Sequence, residues 1–399
     1  VVAVSATVNS LAWSVRSTFA LFYVALLGEF GWARGQAAIG YSLSWLCLLV
    51  FGPLAGWLSD RWGARLVVPL GGALLGAALA LTSAVTSLGQ YYLTLGVIGA
   101  AGIACIMMPA AAIVSRWFVR SRGAAMGAIA AGSSASAIVF YPLNTWLIVT
   151  LGWRGALVVF GLVVALVAVP LAGLLYREPP ADPAPEPGGA GRDGEAPPPA
   201  QEWTLGAALR TYQFWAVVAM WALGVIGYQI ITTHQVAHAA ERGFGPMTLG
   251  WVFGLGGACT VAGNLLGGVL SDRWGSGAIF AIGSAIGIAG IACLAWLGGP
   301  DDLPLLLLYA ASQVGFGMRI ALLAAIPAEL FAGRHLGAIL GAANGGGGLG
   351  GFIGPFLGGW LFDVSGSYGL AFAVAALTIA GSAVAAWIAA PRRRAHGNG

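Results

Sequence analysis

Apolar stretches long enough to cross a bilayer recur twelve times along the chain. They fall at about residues 4–27, 37–57, 66–88, 92–115, 122–149, 154–176, 213–239, 248–270, 277–297, 303–326, 336–361 and 368–390. A helical crossing takes about 20 residues at 1.5 Å per residue. The runs do not alternate as barrel strands do, and they are too long for single strands. The pattern therefore predicts an all-α membrane protein of twelve transmembrane helices. Gly and Ala are abundant in the runs, which lets helix backbones approach closely in lipid. The first run has no basic flank and no small-residue cleavage site, so it reads as a span rather than a signal peptide.

One long polar segment interrupts the series. From Arg177 to about Gln201 it carries eight prolines and four glycines. Such a run cannot bury a core and reads as a disordered linker. Trp203 to Arg210 reads as a short interfacial helix after it. The expected organisation is a six-helix bundle over 1–176, a linker with its interfacial helix over 177–210, and a second bundle over 211–399.

The two halves repeat. Leu58-Ser59-Asp60-Arg61-Trp62-Gly63 recurs letter for letter from Leu270 to Gly275, at an offset of 212. Gly123-Ala124-Ala125-Met126-Gly127-Ala128 answers to the segment Gly337 to Ala342, and Gly152 and Gly155 answer to Gly366 and Gly369, each at an offset of 214. Ordered matches at a nearly constant offset indicate a duplicated six-helix unit with pseudo-symmetric halves.

Composition narrows the function. The chain is 59% hydrophobic and 8% charged, against about 25% charged in soluble domains. Every basic side chain other than histidine is an arginine. Without lysine there is no Walker A phosphate loop and no Schiff base. The net charge of +4 reflects basic loops rather than a nucleic-acid surface. The four cysteines lie in apolar runs without CxxC spacing and read as small buried residues. With the amino terminus in the cytoplasm, thirteen arginines fall on the cytoplasmic side and only Arg34, Arg154 and Arg242 outside. That asymmetry predicts a multi-pass protein of the cell (inner) membrane with both termini cytoplasmic.

Gly56-Trp57-Leu58-Ser59-Asp60-Arg61-Trp62-Gly63-Ala64-Arg65, between the second and third spans, resembles the signature loop of the major facilitator superfamily. The copy from Gly268 to Gly275 lacks the final basic residue. Within that superfamily the chain looks most like the monocarboxylate and oxalate–formate branch. The segments that carry this likeness are Glu29-Phe30-Gly31-Trp32-Ala33-Arg34, Arg116-Trp117-Phe118 with Arg122-Gly123, Gly152-Trp153-Arg154, Gly354-Pro355, Phe362-Asp363 and Gly366-Ser367-Tyr368. The resemblance implies two bundles rocking about a central cavity lined by spans one, four, seven and ten. It implies that Asp60, Arg61, Asp272 and Arg273 bridge helix ends as a cytoplasmic gate. The monocarboxylate branch also carries an Asp and an Arg in span eight, and the oxalate–formate branch basic residues in spans eight and eleven; this chain has neither set.

Apart from Arg122 and Arg154, the first residues of spans five and six, ten of the twelve spans contain no Asp, Glu or Arg. The exceptions are Arg16 in span one and Arg319 in span ten. A charge at the bilayer centre costs about 2.5–3.5 kcal/mol on insertion scales. No span interior offers a carboxylate partner, which leaves the substrate. A guanidinium stays charged and matches a carboxylate in bidentate fashion. Snorkelling for Arg16 and helix packing for Arg319 are the alternatives. In span seven, Tyr228, Thr232 and Gln235 share a helix face and are substrate-contact candidates. Tyr228 is the repeat equivalent of Arg16, by the same offset that relates the duplicated loops. His234 is a candidate proton carrier. His234 and His238 lack a third ligand, so no metal is expected. Ser133, Ser134, Ser136, Tyr141 and Asn144 in span five, with Asn264 and Asn344, face either a cavity or neighbouring helices.

The expected function is secondary transport of small organic anions, mono- or dicarboxylates, by alternating access, as anion exchange or proton-coupled symport. No cofactor is expected. The expected partners are the anion, the lipid bilayer and, under symport, protons; the working unit is a monomer. An exporter of hydrophobic or drug-like compounds is the alternative, and it predicts an acidic cavity residue. A membrane enzyme would need an interior nucleophile–base or metal constellation, and none is visible.

Overall fold

The computed structural model describes residues 1–118, 122–176, 203–331, 333 and 335–389. The polar linker predicted from Arg177 to about Gln201 lies outside them, as do Arg120, Arg334, Arg392, Arg393 and Arg394. In lipid, backbone polar groups must bond within their own segment. The apolar runs accordingly form helices: α1 (Val2–Ser17) and α2 (Phe19–Phe30), then α3 (Arg34–Trp62), α4 (Ala64–Thr82), α5 (Leu88–Tyr91), a π-helix (Tyr92–Gly99) and α6 (Ala100–Trp117). There follow α7 (Arg122–Leu175), the short α8 (Leu205–Ala208), α9 (Tyr212–Glu241), α10 (Pro246–Trp274), α11 (Ser276–Ala295), α12 (Leu303–Leu330), α13 (Leu336–Ser365) and α14 (Gly369–Ala389).

These make twelve crossings. α1 and α2 form one, broken at Thr18 (φ −92°, ψ 3°). The hydroxyls of Ser14 and Thr18 turn back onto carbonyls at the break, Ser14 to Leu11 O (2.7 Å) and Thr18 to Ser14 O (2.8 Å), a habit that bends helices. α5, the π turn and α6 form the fourth crossing. α7 holds the fifth and sixth, separated by Gly152 at φ 70°, ψ 165°. α8 starts where Thr204 caps the amide of Ala207 (3.2 Å), inside the stretch predicted as an interfacial helix.

The duplication extends to the backbone. Among the described residues, six of the seven glycines at positive φ pair across the repeat: Gly31 with Gly243, Gly63 with Gly275, and Gly152 with Gly366. Corners at positive φ, which favour residues without a Cβ, thus recur at matching places in the two halves. The fold is that of two six-helix bundles, α1 to α7 and α9 to α14.

The halves meet along two seams. α3 packs on α13, and α7 on α10. On the first seam a side chain at Gly359 would start 2.6 Å from the Arg34 carbonyl, and one at Gly351 would collide with the Trp45 indole. On the second, Thr145, Pro142 and Ala137 press against Gly250, Gly254 and Gly257. These contacts run from the end of the molecule opposite the termini, the far end, to its middle.

Candidate functional site

Arg16 lies in the last turn of α1, just before the break, and is 4% exposed. Its guanidinium carbon stands 3.9 Å from the Trp45 ring centre and 5.4 Å from that of Tyr41. Aromatic faces attract the cation, and the Tyr41 hydroxyl lies near enough to act on it, but no hydrogen bond of good geometry forms. All three guanidinium nitrogens are buried without a hydrogen-bond partner, and so is the Trp45 indole nitrogen. Every unsatisfied group here is a donor. Trp45 in turn packs against Gly351 of the other half, so Arg16 sits one layer from the seam. The sequence pattern does not single out Tyr41 and Trp45. Their signal is faint: two aromatics four apart on an apolar helix face the same way.

Across the middle runs a chain of polar side chains from both halves. Tyr141 of α7 accepts a hydrogen bond from Gln235 Nε2 (3.2 Å), Tyr309 of α12 donates to Gln235 Oε1, and Gln313 Nε2 donates to Tyr309 (2.9 Å). Tyr228 stacks flat on Phe316 at 3.6 Å. Its phenol is within electrostatic reach of Tyr41 and Tyr141, which brings the row on α9 towards the Arg16 neighbourhood. Thr232 donates to its own helix at Tyr228 O (3.0 Å). Tyr309 and Gln313, absent from the sequence-based set, complete this chain. Ser133 and Asn144 turn to neighbouring helices, with Asn9 Nδ2 donating to Ser133 (2.6 Å) and Asn144 Nδ2 to Thr18 (2.9 Å).

Arg319 lies elsewhere. It is also 4% exposed, but it points into the second bundle's own interior. Its NH2 donates to Ser382 of α14 (3.2 Å), and its charge lies 5.0 Å from the Phe280 ring of α11. Its Nε has no partner. The two membrane arginines thus occupy different surroundings rather than one shared site.

His234 is fully buried at the seam. Its Nε2 donates to Pro355 O (2.9 Å), and its Nδ1 has no partner. His238 Nε2 donates to Leu294 O (3.0 Å). Among the described residues no group of three or more His, Cys, Asp or Glu is arranged to hold a metal ion.

At the far end the two halves are clamped by charge. Arg34 reaches across to Glu241 and to the Tyr368 hydroxyl, and lies 3.5 Å from the Phe362 ring centre. Asp363 of α13 accepts the first amides of α3, Arg34 N (2.9 Å) and Gly35 N (2.8 Å). Segments that carry the family likeness separately in the sequence, Glu29 to Arg34, Phe362-Asp363 and Gly366 to Tyr368, therefore meet in one cluster. At the opposite end, Asp60 pairs with Arg116 of α6 in its own half, and Arg61 lies 5.8 Å from the Trp57 ring. Asp272 and Arg273 occupy the corresponding end of α10.

Comparison with known proteins supplies the family. The family model described as Major Facilitator Superfamily matches residues 2–318 and 239–399. The chain is 30% identical over 274 residues to monocarboxylate transporter 11 of Homo sapiens, covering 68% of this chain and 56% of that protein. It is 30% identical over 266 residues to monocarboxylate transporter 13 of Bos taurus, covering 66% and 59%, so the chain spans little more than half the length of these relatives. Monocarboxylate transporter 12-B of Danio rerio is 24% identical over 93% of this chain and 82% of its own. Among solved structures, a bacterial homolog of the human lysosomal transporter Spinster, inward-facing and unoccupied, superposes with a TM-score of 0.74 at 15% identity, covering 98% of this chain and 94% of that one. These relatives are transporters, not enzymes. The chain, a multi-pass membrane protein of two six-helix bundles, belongs to the Major Facilitator Superfamily of transporters.

Proposed function

We propose that the protein carries small organic anions, mono- or dicarboxylates, along the seam between its halves, with Arg16 as the counter-charge. The observation that carries this reading is the buried Arg16 guanidinium with no hydrogen-bond partner on any of its three nitrogens. A carboxylate supplies both the charge and the acceptors that this group lacks. Tyr228 and Gln235 are the neutral contacts on the opposite side, and Thr232 contributes through the same helix. The names of the curated relatives point to the same substrate class. A drug-like or cationic cargo would call for an acidic group in mid-span, and the sequence offers none.

Charge also bears on coupling. A carrier with an uncompensated cation near its centre reorients at a cost when empty. That favours exchange of one anion for another. His234, buried at the seam with a free Nδ1, is the group through which proton symport would run. The termini face the cytoplasm, by the arginine asymmetry. The far-end clamp is then the outer gate, and Asp60, Arg61, Asp272 and Arg273 belong to the cytoplasmic one. The halves 1–176 and 211–399 rock about the seam, and the monomer is the working unit.

Uptake of labelled mono- and dicarboxylates into proteoliposomes, with and without trapped counter-anion and with and without a pH gradient, tests this. Exchange predicts uptake only with trapped anion. Arg16→Gln should lower uptake at least ~100-fold, since a buried charge-assisted contact is worth about 3 kcal/mol or more. Absence of carboxylate uptake, or an Arg16→Gln protein that transports normally, sinks the reading.

A further inference from the structure

The second bundle contains a small cavity between α9, α11, α12 and α14. Tyr228, Tyr309, Ser312, Gln313, Phe316 and Arg319 contribute to its wall. The repeat supplies its control. In the first bundle a cavity lies at the corresponding place, with Phe19, Leu79 and Leu95 where the second has Ile231, Ile291 and Tyr309. That first cavity is lined almost wholly by apolar side chains, and apolar cavities stay dry. The second carries a charge.

The packing does not require that charge. Arg319 crosses α11 at Gly283, where a side chain would start 3.2 Å from its Cγ. The equivalent crossing in the first half is Cys105 on Gly71, where a side chain would start 2.7 Å from the Cys105 Cβ. A small neutral thiol thus builds the same crossing. Nor do neighbours neutralise Arg319. Ser382 accepts from its NH2 but spends its own hydrogen on Met220 O (2.7 Å). Phe280 offers only a ring face, and Nε is left without a partner. A charge taken out of water needs a counter-charge close by.

We propose that this cavity holds one small monovalent inorganic anion of halide size beside Arg319, fixed within the second half and separate from the transported anion. Size argues for a single compact ion, because the space suits a few atoms rather than a carboxylate with a side chain. The site rests on Arg319 and its cavity alone, so it survives if the carboxylate reading of Arg16 fails.

The test is thermal unfolding of the purified full chain in lipid nanodiscs, in sodium chloride against sodium methanesulfonate at equal ionic strength. Chloride should raise the Tm saturably, by about 3–5 °C. Arg319→Gln should abolish the shift and Arg16→Gln should keep it. No heavy atom lies within 4 Å of where a Gly287 side chain would begin, and Gly287 lines the cavity. Gly287→Val should therefore fill the space and abolish the shift with Arg319 intact, which decides the matter if Arg319→Gln fails to fold. Bromide in place of chloride should give an anomalous-scattering peak beside Arg319. The proposal is overturned by a wild type indifferent to chloride, by a shift that survives Arg319→Gln or Gly287→Val, or by one lost in Arg16→Gln. It is also overturned if acetate or lactate, but not chloride, stabilises through Arg319.

Discussion

Glu29 and Glu241 stand at equivalent ends of the two bundles, related by the offset of the repeat, and their partners differ in kind. Glu29 is held inside its own half, by Arg154 NH2 (2.6 Å) and by the Trp153 indole. At the position equivalent to Arg154 the second half has Tyr368. Among the described residues Glu241 makes no ion pair like that of Glu29 within its own half, and takes Arg34 from the other. One exchange in the duplicated unit turns a bond within a bundle into a bond between bundles. In the proposed rocking motion the first kind would stiffen a moving body, and the second would oppose the motion itself.

That contrast can be broken experimentally. Removing the shared cation should have the largest effect. Arg34→Ala loses Glu241, Tyr368 and the face of Phe362, and charge-assisted bonds of this sort are worth about 1.5–3 kcal/mol when partly buried. Labelling of a cysteine placed at Thr232, approached from the far side, should quicken about tenfold or more; unchanged labelling would mean that the clamp does not hold the end shut. Restoring the lost symmetry should act in the same direction, less strongly. Tyr368→Arg gives Glu241 a guanidinium from its own half and frees Arg34, so labelling should rise about three- to fivefold, for about 1 kcal/mol. A slower rate would show instead that the new arginine strengthens the clamp. Asp363→Asn keeps an acceptor for the start of α3 but drops its charge, worth about 0.3–1 kcal/mol at a helix end. It should quicken labelling by about two- to fivefold. Glu29→Gln is the smallest, because the pair is exposed. It should cost about 1–2 °C of Tm and leave far-side labelling as in wild type.

The spans and the duplication are legible because lipid imposes a length and a repeat imposes an offset. The helices overrun several predicted spans, α3 from Arg34 to Trp62 against 37–57 for example, since hydropathy reports the hydrocarbon core and not the helix that continues into the interface. The break at Thr18 is hidden because neither Pro nor Gly marks it. The π turn from Tyr92 to Gly99 also leaves no trace in the pattern, and nothing in the structure explains it. Charge makes Arg16 and Arg319 visible. Which way each points is not, because these helices are apolar on all sides and carry no periodicity to orient them. Tyr41 and Trp45 escape for a related reason: aromatics on an apolar span look like ordinary packing. In the sequence Arg34 bears on topology and on the family likeness but not on any contact, since its partners Glu241, Asp363 and Tyr368 all belong to the other half of the chain.

Asp363 belongs to one bundle, yet the two amides it binds begin a helix of the other. In the proposed rocking motion that carboxylate would withdraw and leave the first turn of α3 facing water. An uncovered helix start is a pole of positive potential, and Arg34, released at the same moment, adds a full charge beside it. Opening would therefore polarise the mouth rather than charge it, with the start of α3 and Arg34 positive on one lip and Glu241 and Asp363 negative on the other. The same step that breaks the lock would leave a field running across the doorway.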